Sequence, residues 1–148
     1  MVKMEIITKS DKETKKAGEI LAWAAKKKKN KSLIIGLRGD LGGGKTTFTQ
    51  GFAKGLGVKD KITSPTFVIF KKYSFDGGNF YHVDCYRIRD AADLAELDFN
   101  EVLKSDKNIV MIEWAEKIKA ILPEDTIWMD FKYLNNNQRK ITLFTYSI

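Results

Sequence analysis

The chain has 148 residues, of which 43% are hydrophobic and 30% charged, a composition typical of a folded globular protein and not of a disordered one. Its 26 lysines and arginines exceed its 19 acidic residues, which gives a net charge of +7. That excess suits an anionic partner such as RNA, although solubility alone would also explain it.

Three further features predict where the protein works. No apolar run approaches the length needed to cross a bilayer, and the segment Met1–Glu5 lacks the apolar core of a secretory signal. Cys85 is the only cysteine, so an internal disulfide is excluded. We therefore expect a single domain over residues 1–148 that is cytoplasmic and has no membrane partner.

The N-terminal segment predicts a strand followed by an amphipathic helix. The strand is expected at Met4–Ile7, and Ser10 and Glu13 have the spacing of a capping box that begins a helix. The expected buried stripe of this helix is Ala17, Ile20, Leu21 and Ala24. Four lysines at 26–29 follow, where cations suit the negative end of the helix dipole. Because no aromatic residue interleaves with them, this structural role is favoured over a nucleic-acid patch.

Residues 39–46, Gly-Asp-Leu-Gly-Gly-Gly-Lys-Thr, match the phosphate-binding pattern G-x-x-x-x-G-K-[ST]. In such a loop the backbone N–H groups surround a phosphate, the lysine reaches the β- and γ-phosphates, and the hydroxyl ligates Mg²⁺. The residues assigned to nucleotide binding are Asp40, Leu41, Gly42, Gly43, Gly44, Lys45, Thr46 and Thr47, with Thr46 also a metal ligand.

The residues flanking this loop support a nucleotide site over an ordinary glycine turn. Leu33–Leu37 predicts a buried parallel strand that enters the loop. Beyond it, apolar residues recur at helical spacing and Gly57 is the expected helix stop. The recurring residues are Phe48, Phe52 and Leu56. The helix N-terminus is thereby directed at the phosphates.

The remaining elements predict an α/β fold with a mixed, mostly parallel sheet flanked by helices and antiparallel hairpins. We expect a hairpin over 66–74 and 79–85 that turns at 76–79, a short helix near Asp90, a buried strand at Ile109–Ile112, and a helical segment over 114–122 that ends at Pro123. An antiparallel pair around 127–131 and 141–143 should complete one end of the sheet.

Two acidic residues end predicted strands and are candidates for the catalytic centre. Asp84 follows Phe80-Tyr81-His82-Val83, and Glu113 follows four apolar residues, a setting resembling a Walker B strand. His82 is interpreted as a packing or hydrogen-bonding residue. Thr66 lies about twenty residues beyond Lys45, where several GTPases carry a switch threonine.

Four segments in this order resemble the TsaE (YjeE) family, bacterial ATPases required for threonylcarbamoyladenosine modification of tRNA. They are Gly39–Thr47, Ser64–Phe67, Tyr81–Arg87 and Ile112–Trp114. The resemblance covers nearly the whole chain, with Gly43 standing where the family usually has alanine.

The resemblance implies a P-loop ATPase that uses ATP and Mg²⁺ and acts with the proteins TsaD and TsaB. Hydrolysis would reset or release the complex, while TsaD transfers the carbamoyl group. It further implies Glu113 as the magnesium acid, Asp84 as a second site acid, Thr66 as a switch residue and Arg139 near the nucleotide. A direct contact with tRNA is left open, as are the residues that contact adenine.

Three other functions remain in view. A GTPase should carry N-K-x-D, but the only Asn-Lys pair, Asn30-Lys31, continues as Ser-Leu. A small P-loop kinase needs an acceptor pocket and an arginine-bearing lid, for which few residues remain. A nucleotide-dependent binding module with incidental hydrolysis shares every motif with an ATPase. Because no arginine has an obvious finger position, although Arg87 and Arg89 follow the Asp84 strand, we expect weak hydrolysis without partners.

Overall fold

The computed structural model describes residues 2–27, 31–39, 44–63, 70–95 and 98–145. Its strands are β1 (Val2–Thr8), β2 (Leu33–Gly39), β3 (Phe70–Phe75), β4 (Gly78–Asp84), β5 (Asn108–Glu113), β6 (Ile127–Tyr133) and β7 (Arg139–Thr145). Its helices are α1 (Asp11–Lys26), α2 (Lys45–Leu56), α3 (Ala92–Ala95), α4 (Phe99–Lys104) and a 3₁₀ helix (Ala115–Ile121). Among the described residues these strands form one seven-stranded sheet in the order β1-β7-β6-β2-β5-β4-β3.

The centre of the sheet is parallel and its two margins are antiparallel. Strand β2 pairs in parallel with β5 and β6, and β5 pairs in parallel with β4. The antiparallel pairs are β3 with β4, β6 with β7, and β7 with β1. The α/β class with a mixed sheet is thus confirmed. The carboxyl ends of β2, β4 and β5 meet at one edge, where ligand sites of open α/β sheets lie.

The last antiparallel pair does not complete the sheet as expected. Strand β7 pairs with β6 on one side and, over its whole length from Arg139 to Thr145, with β1 on the other. The N-terminal strand β1 therefore forms this edge of the sheet. Its backbone groups pair with those of β7 that face away from β6 and would otherwise lack partners.

Two apolar cores cover the two faces of the sheet. Helices α1 and α2 cover one face, where Phe48, Phe52 and Leu56 are buried as their spacing predicts. The other core gathers Leu94 of α3, Phe99 of α4 and residues of the 3₁₀ helix over β4 and β5. In the part of the chain that the structure describes, no helix is long and apolar enough to span a bilayer.

The buried face of helix α1 overlaps only partly with the predicted one. Its buried residues are Thr14, Gly18, Ala22 and Ala25, whereas Ile20 is 53% exposed. The cause is a close crossing with α2. A Cβ at Gly18 would lie 2.3 Å from the Phe48 carbonyl oxygen, and one at Gly51 would lie 2.0 Å from the Lys15 carbonyl oxygen. Small residues thus select this contact, which leaves Ile20 facing solvent, while the predicted Ala17 and Leu21 are partly buried and pack against the core.

Several local predictions are confirmed at the level of hydrogen bonds. The Ser10 hydroxyl accepts a hydrogen bond from the Glu13 N–H at 3.1 Å, as a capping box requires. The Glu13 carboxylate accepts from the N–H of Lys9 and not from that of Ser10, the usual partner in a capping box. Gly57 ends α2 in the left-handed region. The hairpin is tighter than expected, since β3 and β4 flank only 76–77; its predicted start at 66–69 lies outside the described residues.

Candidate nucleotide site

The site is centred on the junction between β2 and α2. Strand β2 ends at Gly39 and α2 begins at Lys45, with Gly44 at φ +98° as its cap. A Cβ at Gly39 would lie 2.2 Å from the carbonyl oxygen of Phe131, so a side chain there would collide with β6 backbone. The predicted residues Asp40, Leu41, Gly42 and Gly43 lie outside the described residues.

Lys45, the first residue of α2, is held in place by two contacts of its ammonium group. Its ammonium group donates to the Gly39 carbonyl oxygen at 2.6 Å and lies 4.0 Å from the centre of the Trp114 ring. Trp114 has φ +59°, a backbone conformation that bulky residues rarely adopt. The ammonium is thus kept at the mouth of the strand–helix junction, and only 5% of Lys45 is exposed.

Asp84 and Glu113 lie side by side, because they are paired residues at the ends of adjacent parallel strands. Glu113 also pairs with Leu37 of β2, which brings its side chain next to α2. There the Thr46 hydroxyl donates to Glu113 Oε1 at 3.3 Å. The two predicted acids and the predicted hydroxyl therefore meet at one edge of the sheet.

The second oxygen of Glu113 is occupied by His82. The distance from His82 Nε2 to Glu113 Oε2 is 2.6 Å, and His82 is fully buried. The other ring nitrogen has no hydrogen-bond partner among the described residues. With the ring protonated at Nε2, His82 donates to the carboxylate and fixes its orientation, which matches the hydrogen-bonding role predicted for it.

A cavity of about 320 Å³ opens between these groups. Its lining residues are Asp11, Gly44, Lys45, Thr46, Thr47, Asp84, Tyr86, Glu113, Trp114 and Arg139. All predicted site residues that the structure describes are in this set. Thr66 lies outside the described residues.

Arg139 reaches the cavity from the start of β7. Its guanidinium carbon lies 4.7 Å from the centre of the Tyr133 ring, and one terminal nitrogen is 3.9 Å from Asp11 Oδ1. The Nε atom is buried and makes no hydrogen bond within the described residues. The other terminal nitrogen donates to the Gln138 carbonyl oxygen at 3.4 Å. Because a guanidinium has five N–H donors, these contacts leave donors for a ligand in the cavity that Arg139 lines.

The electrostatic environment of the cavity favours a bound cation beside the acids. Burial raises the pKa of Asp84 above its ordinary value, and the neighbouring Glu113 carboxylate acts in the same direction. The Tyr86 N–H, 2.9 Å from Asp84 Oδ1, opposes this shift. Two adjacent carboxylates that are withdrawn from water are stabilised in their charged forms by a positive ion.

Sequence reasoning missed three residues that line the cavity or hold its groups. Asp11 follows the capping serine of α1 and carries no motif. Tyr86 packs against Trp114 with the rings tilted by 55° and their centres 5.3 Å apart. The contact between Trp114 and Lys45 requires the left-handed backbone at Trp114, which nothing in the sequence signals. Only the i, i+2 alternation of His82 with Asp84 hints at the bond to Glu113.

The fold and the site define an α/β protein in which the end of a central parallel strand and the N-terminus of the following helix face acids from two neighbouring strands. The chain belongs to the TsaE family: the family model described as threonylcarbamoyl adenosine biosynthesis protein TsaE matches residues 8–141.

Individual relatives agree over nearly the whole chain. The tRNA threonylcarbamoyladenosine biosynthesis protein TsaE of Bacillus subtilis is 36% identical over 135 residues, which cover 91% of this chain and 81% of that protein. The protein of the same name from Aquifex aeolicus is 36% identical over 95% of both chains. The crystal structure of Bacillus subtilis YdiB superposes with a TM-score of 0.78 at 32% identity and covers 99% of this chain and 87% of that one.

Proposed function

We propose that this protein binds ATP with Mg²⁺ and hydrolyses it slowly on its own, as the accessory ATPase of tRNA threonylcarbamoyladenosine formation that acts with TsaD and TsaB. The observation that supports this most is the meeting of Lys45, Thr46, Asp84 and Glu113 at one edge of the sheet. A lysine, a hydroxyl and two carboxylates in one cavity are the groups that phosphoryl transfer requires.

Lys45 is placed to exchange its present acceptor for phosphate. Its ammonium already donates to a carbonyl oxygen at the end of β2, so a phosphate oxygen would replace one oxygen acceptor by another. The N-terminus of α2 adds backbone N–H groups and the positive end of the helix dipole. Arg139, whose Nε lacks a protein acceptor among the described residues, would supply a further donor to the nucleotide.

The donor set fits magnesium. Mg²⁺ prefers oxygen ligands and is commonly held by one or two carboxylates together with substrate phosphates. The Thr46 hydroxyl and Glu113 Oε1, 3.3 Å apart, are such oxygens, and Asp84 stands beside them. Among the described residues, no group of three or more His, Cys, Asp or Glu side chains forms a metal site of its own. When bound, the ion would neutralise charge on the β- and γ-phosphates.

Within this site the two acids have different tasks. His82 fixes Glu113 so that Oε1 faces Thr46, which makes Glu113 the ligand. Asp84 is half-buried, and within the described residues its carboxylate accepts one hydrogen bond, through Oδ1 from a backbone N–H. Its other oxygen is the better candidate to orient an attacking water. Thr66 would sense the γ-phosphate as a switch residue.

The experiment measures phosphate release by the chain alone and after TsaD and TsaB are added. We expect slow turnover that the partners accelerate, because an arginine supplied in trans is worth about 10³–10⁵ in rate. Glu113→Gln should abolish turnover in both mixtures. Glu116→Gln is the matched control, since Glu116 is an exposed glutamate three residues further along the chain and does not line the cavity.

Two results would overturn the proposal. Rapid turnover by the chain alone without response to the partners would favour a self-sufficient ATPase or a small kinase. Binding of ATP with no hydrolysis under any condition would favour a nucleotide-dependent binding module.

A further inference from the structure

The outer face of α1 carries a stripe of lysines interrupted by one aromatic side chain. At 100° per residue, an arc of about 60° contains Lys12, Lys16 and Trp23 of α1 together with its C-cap residue Lys27, over about 22 Å along the helix axis. All four are exposed, Trp23 to 47%. The sequence alone shows no aromatic within its lysine run, but the helix places Trp23 among the lysines. We call these four residues the α1 stripe.

The stripe carries net positive charge. Lys16 is shared between the Glu19 carboxylate at 3.5 Å and the face of the Trp23 ring at 4.8 Å. Glu19 is also bonded by Lys54 of α2 at 3.3 Å, so one carboxylate is divided between two lysines. Within the described residues Lys12 and Lys27 have no ion-pair partner.

The stripe is also separate from the packing of the fold. Helix α1 contacts α2 through Gly18 and Ala22 on its opposite side. Burying a tryptophan against the sheet would be favourable, yet Trp23 and its neighbour Ile20 remain about half exposed. The side chains of the stripe are therefore available to a partner.

We propose that the α1 stripe binds an unpaired segment of tRNA, with the lysines on phosphates and a base stacked on Trp23. Cations and an exposed aromatic ring are the two elements of single-strand recognition, since lysines follow the backbone and the ring accepts any base. A bilayer surface fits less well, because only Ile20 and Trp23 offer apolar area on this face. The inference rests on the proposed function for the choice of tRNA.

The test measures binding of a fluorescein-labelled unmodified tRNA transcript by anisotropy over a range of salt concentrations, without nucleotide. The triple variant Lys12→Gln, Lys16→Gln, Lys27→Gln should bind more weakly, and its log–log salt slope should fall by about 2, since each contact to a single strand contributes about 0.7. The matched control removes equal charge elsewhere. It carries Lys72→Gln, Lys104→Gln and Lys132→Gln, all exposed in wild type, and should change affinity less.

Trp23→Leu tests stacking separately from charge. We expect a loss of about five- to a hundredfold in affinity with an unchanged salt slope. Single-stranded RNA should compete for the site, and duplex RNA of the same length should compete poorly. Circular dichroism and thermal unfolding of each variant verify that the exposed substitutions leave the fold intact.

Three outcomes would overturn the proposal. These are equal affinity of the two triple variants, unchanged binding by Trp23→Leu, and binding of phosphatidylglycerol vesicles in place of RNA. Failure of this proposal can be told apart from failure of the proposed function. Glu113→Gln should remove hydrolysis without changing RNA affinity, because Glu113 lies in the cavity and not on the α1 stripe.

Discussion

Replacing His82 by leucine should destabilise the protein by an amount set by the burial of its partner. Leucine has a similar volume, so little cavity forms, but Glu113 Oε2 loses the donor 2.6 Å away. Glu113 is only 4% exposed, so water cannot readily replace that donor. A hydrogen bond to a charged group contributes about 1.5–3 kcal/mol. For a protein of this length that corresponds to a melting temperature lower by about 3–12 °C.

The assay is urea unfolding followed by far-ultraviolet circular dichroism, with the free energy of unfolding compared at constant m-value. His82→Gln is the conservative control, since its amide nitrogen reaches about as far as Nε2 and should recover most of the loss. In the double variant with Glu113→Leu, the second change should cost less than it does in wild type. Removing both partners leaves neither a buried carboxylate nor a buried imidazole without the other.

The reasoning would be refuted by a His82→Leu variant within about 0.5 kcal/mol of wild type, the range of a neutral surface change. Equal losses for leucine and glutamine at this position would also refute it. Either result would mean that the imidazole only fills space and that Glu113 takes its orientation from other contacts.

Four further predictions concern single positions. Lys45→Ala should sharply weaken ATP binding measured by calorimetry, and unchanged affinity would contradict the phosphate site. Asp84→Ala should nearly abolish turnover while leaving nucleotide affinity largely intact, because water positioning acts mainly in the transition state; wild-type turnover would make Asp84 merely structural. Burial raises the pKa of the Cys85 thiol to about 12, with Asp84 acting in the same direction, so iodoacetamide at about pH 8 should label it only after unfolding. Gly51→Ala should lower the free energy of unfolding by at least about 1–3 kcal/mol, since its Cβ would lie 2.0 Å from the Lys15 carbonyl oxygen; a neutral result in urea would show that the α1–α2 crossing adapts.

The Cys85 shift also sets a pH dependence for stability. The thiol pKa is about 12 in the folded protein against an ordinary 9.0. Between these values the unfolded chain releases a proton that the folded protein retains. Stability from this group is therefore complete below about pH 9 and is lost as the pH rises towards 12.

The sequence predicts those parts of the site that depend on local order. A buried strand, a glycine segment and a helix start follow one another within residues 33–57, and their spacing determines where Lys45 and Thr46 lie. Asp84 and Glu113 are also found, because an acid directly after an apolar strand marks its carboxyl end. The pattern does not predict that β4 and β5 are adjacent in the sheet or that Asp84 is paired with Glu113.

Features that depend on tertiary contacts were missed or misplaced. The buried face of α1 follows from glycine contacts with α2, and an apolar stripe gives no sign of them. The approach of Arg139 to Asp11 depends on β1 joining β7, with Thr8 paired to Arg139 across about 130 residues of chain. Hydrophobic periodicity reports which side chains avoid water but not which element covers them.

The register of three strands determines the chemistry of the site. Leu37 of β2 pairs with Glu113, and Glu113 pairs with Asp84, so β4 and β5 end level with each other, two residues before the end of β2 at Gly39. A shift of either acidic strand by one residue would turn its acid to the opposite face of the sheet, because successive side chains alternate. His82 is two residues before Asp84 and on the same face, so the register that delivers one acid also brings the imidazole to the other. The buried His82–Glu113 hydrogen bond thus depends on the same register of β4 and β5 that the proposed magnesium site requires.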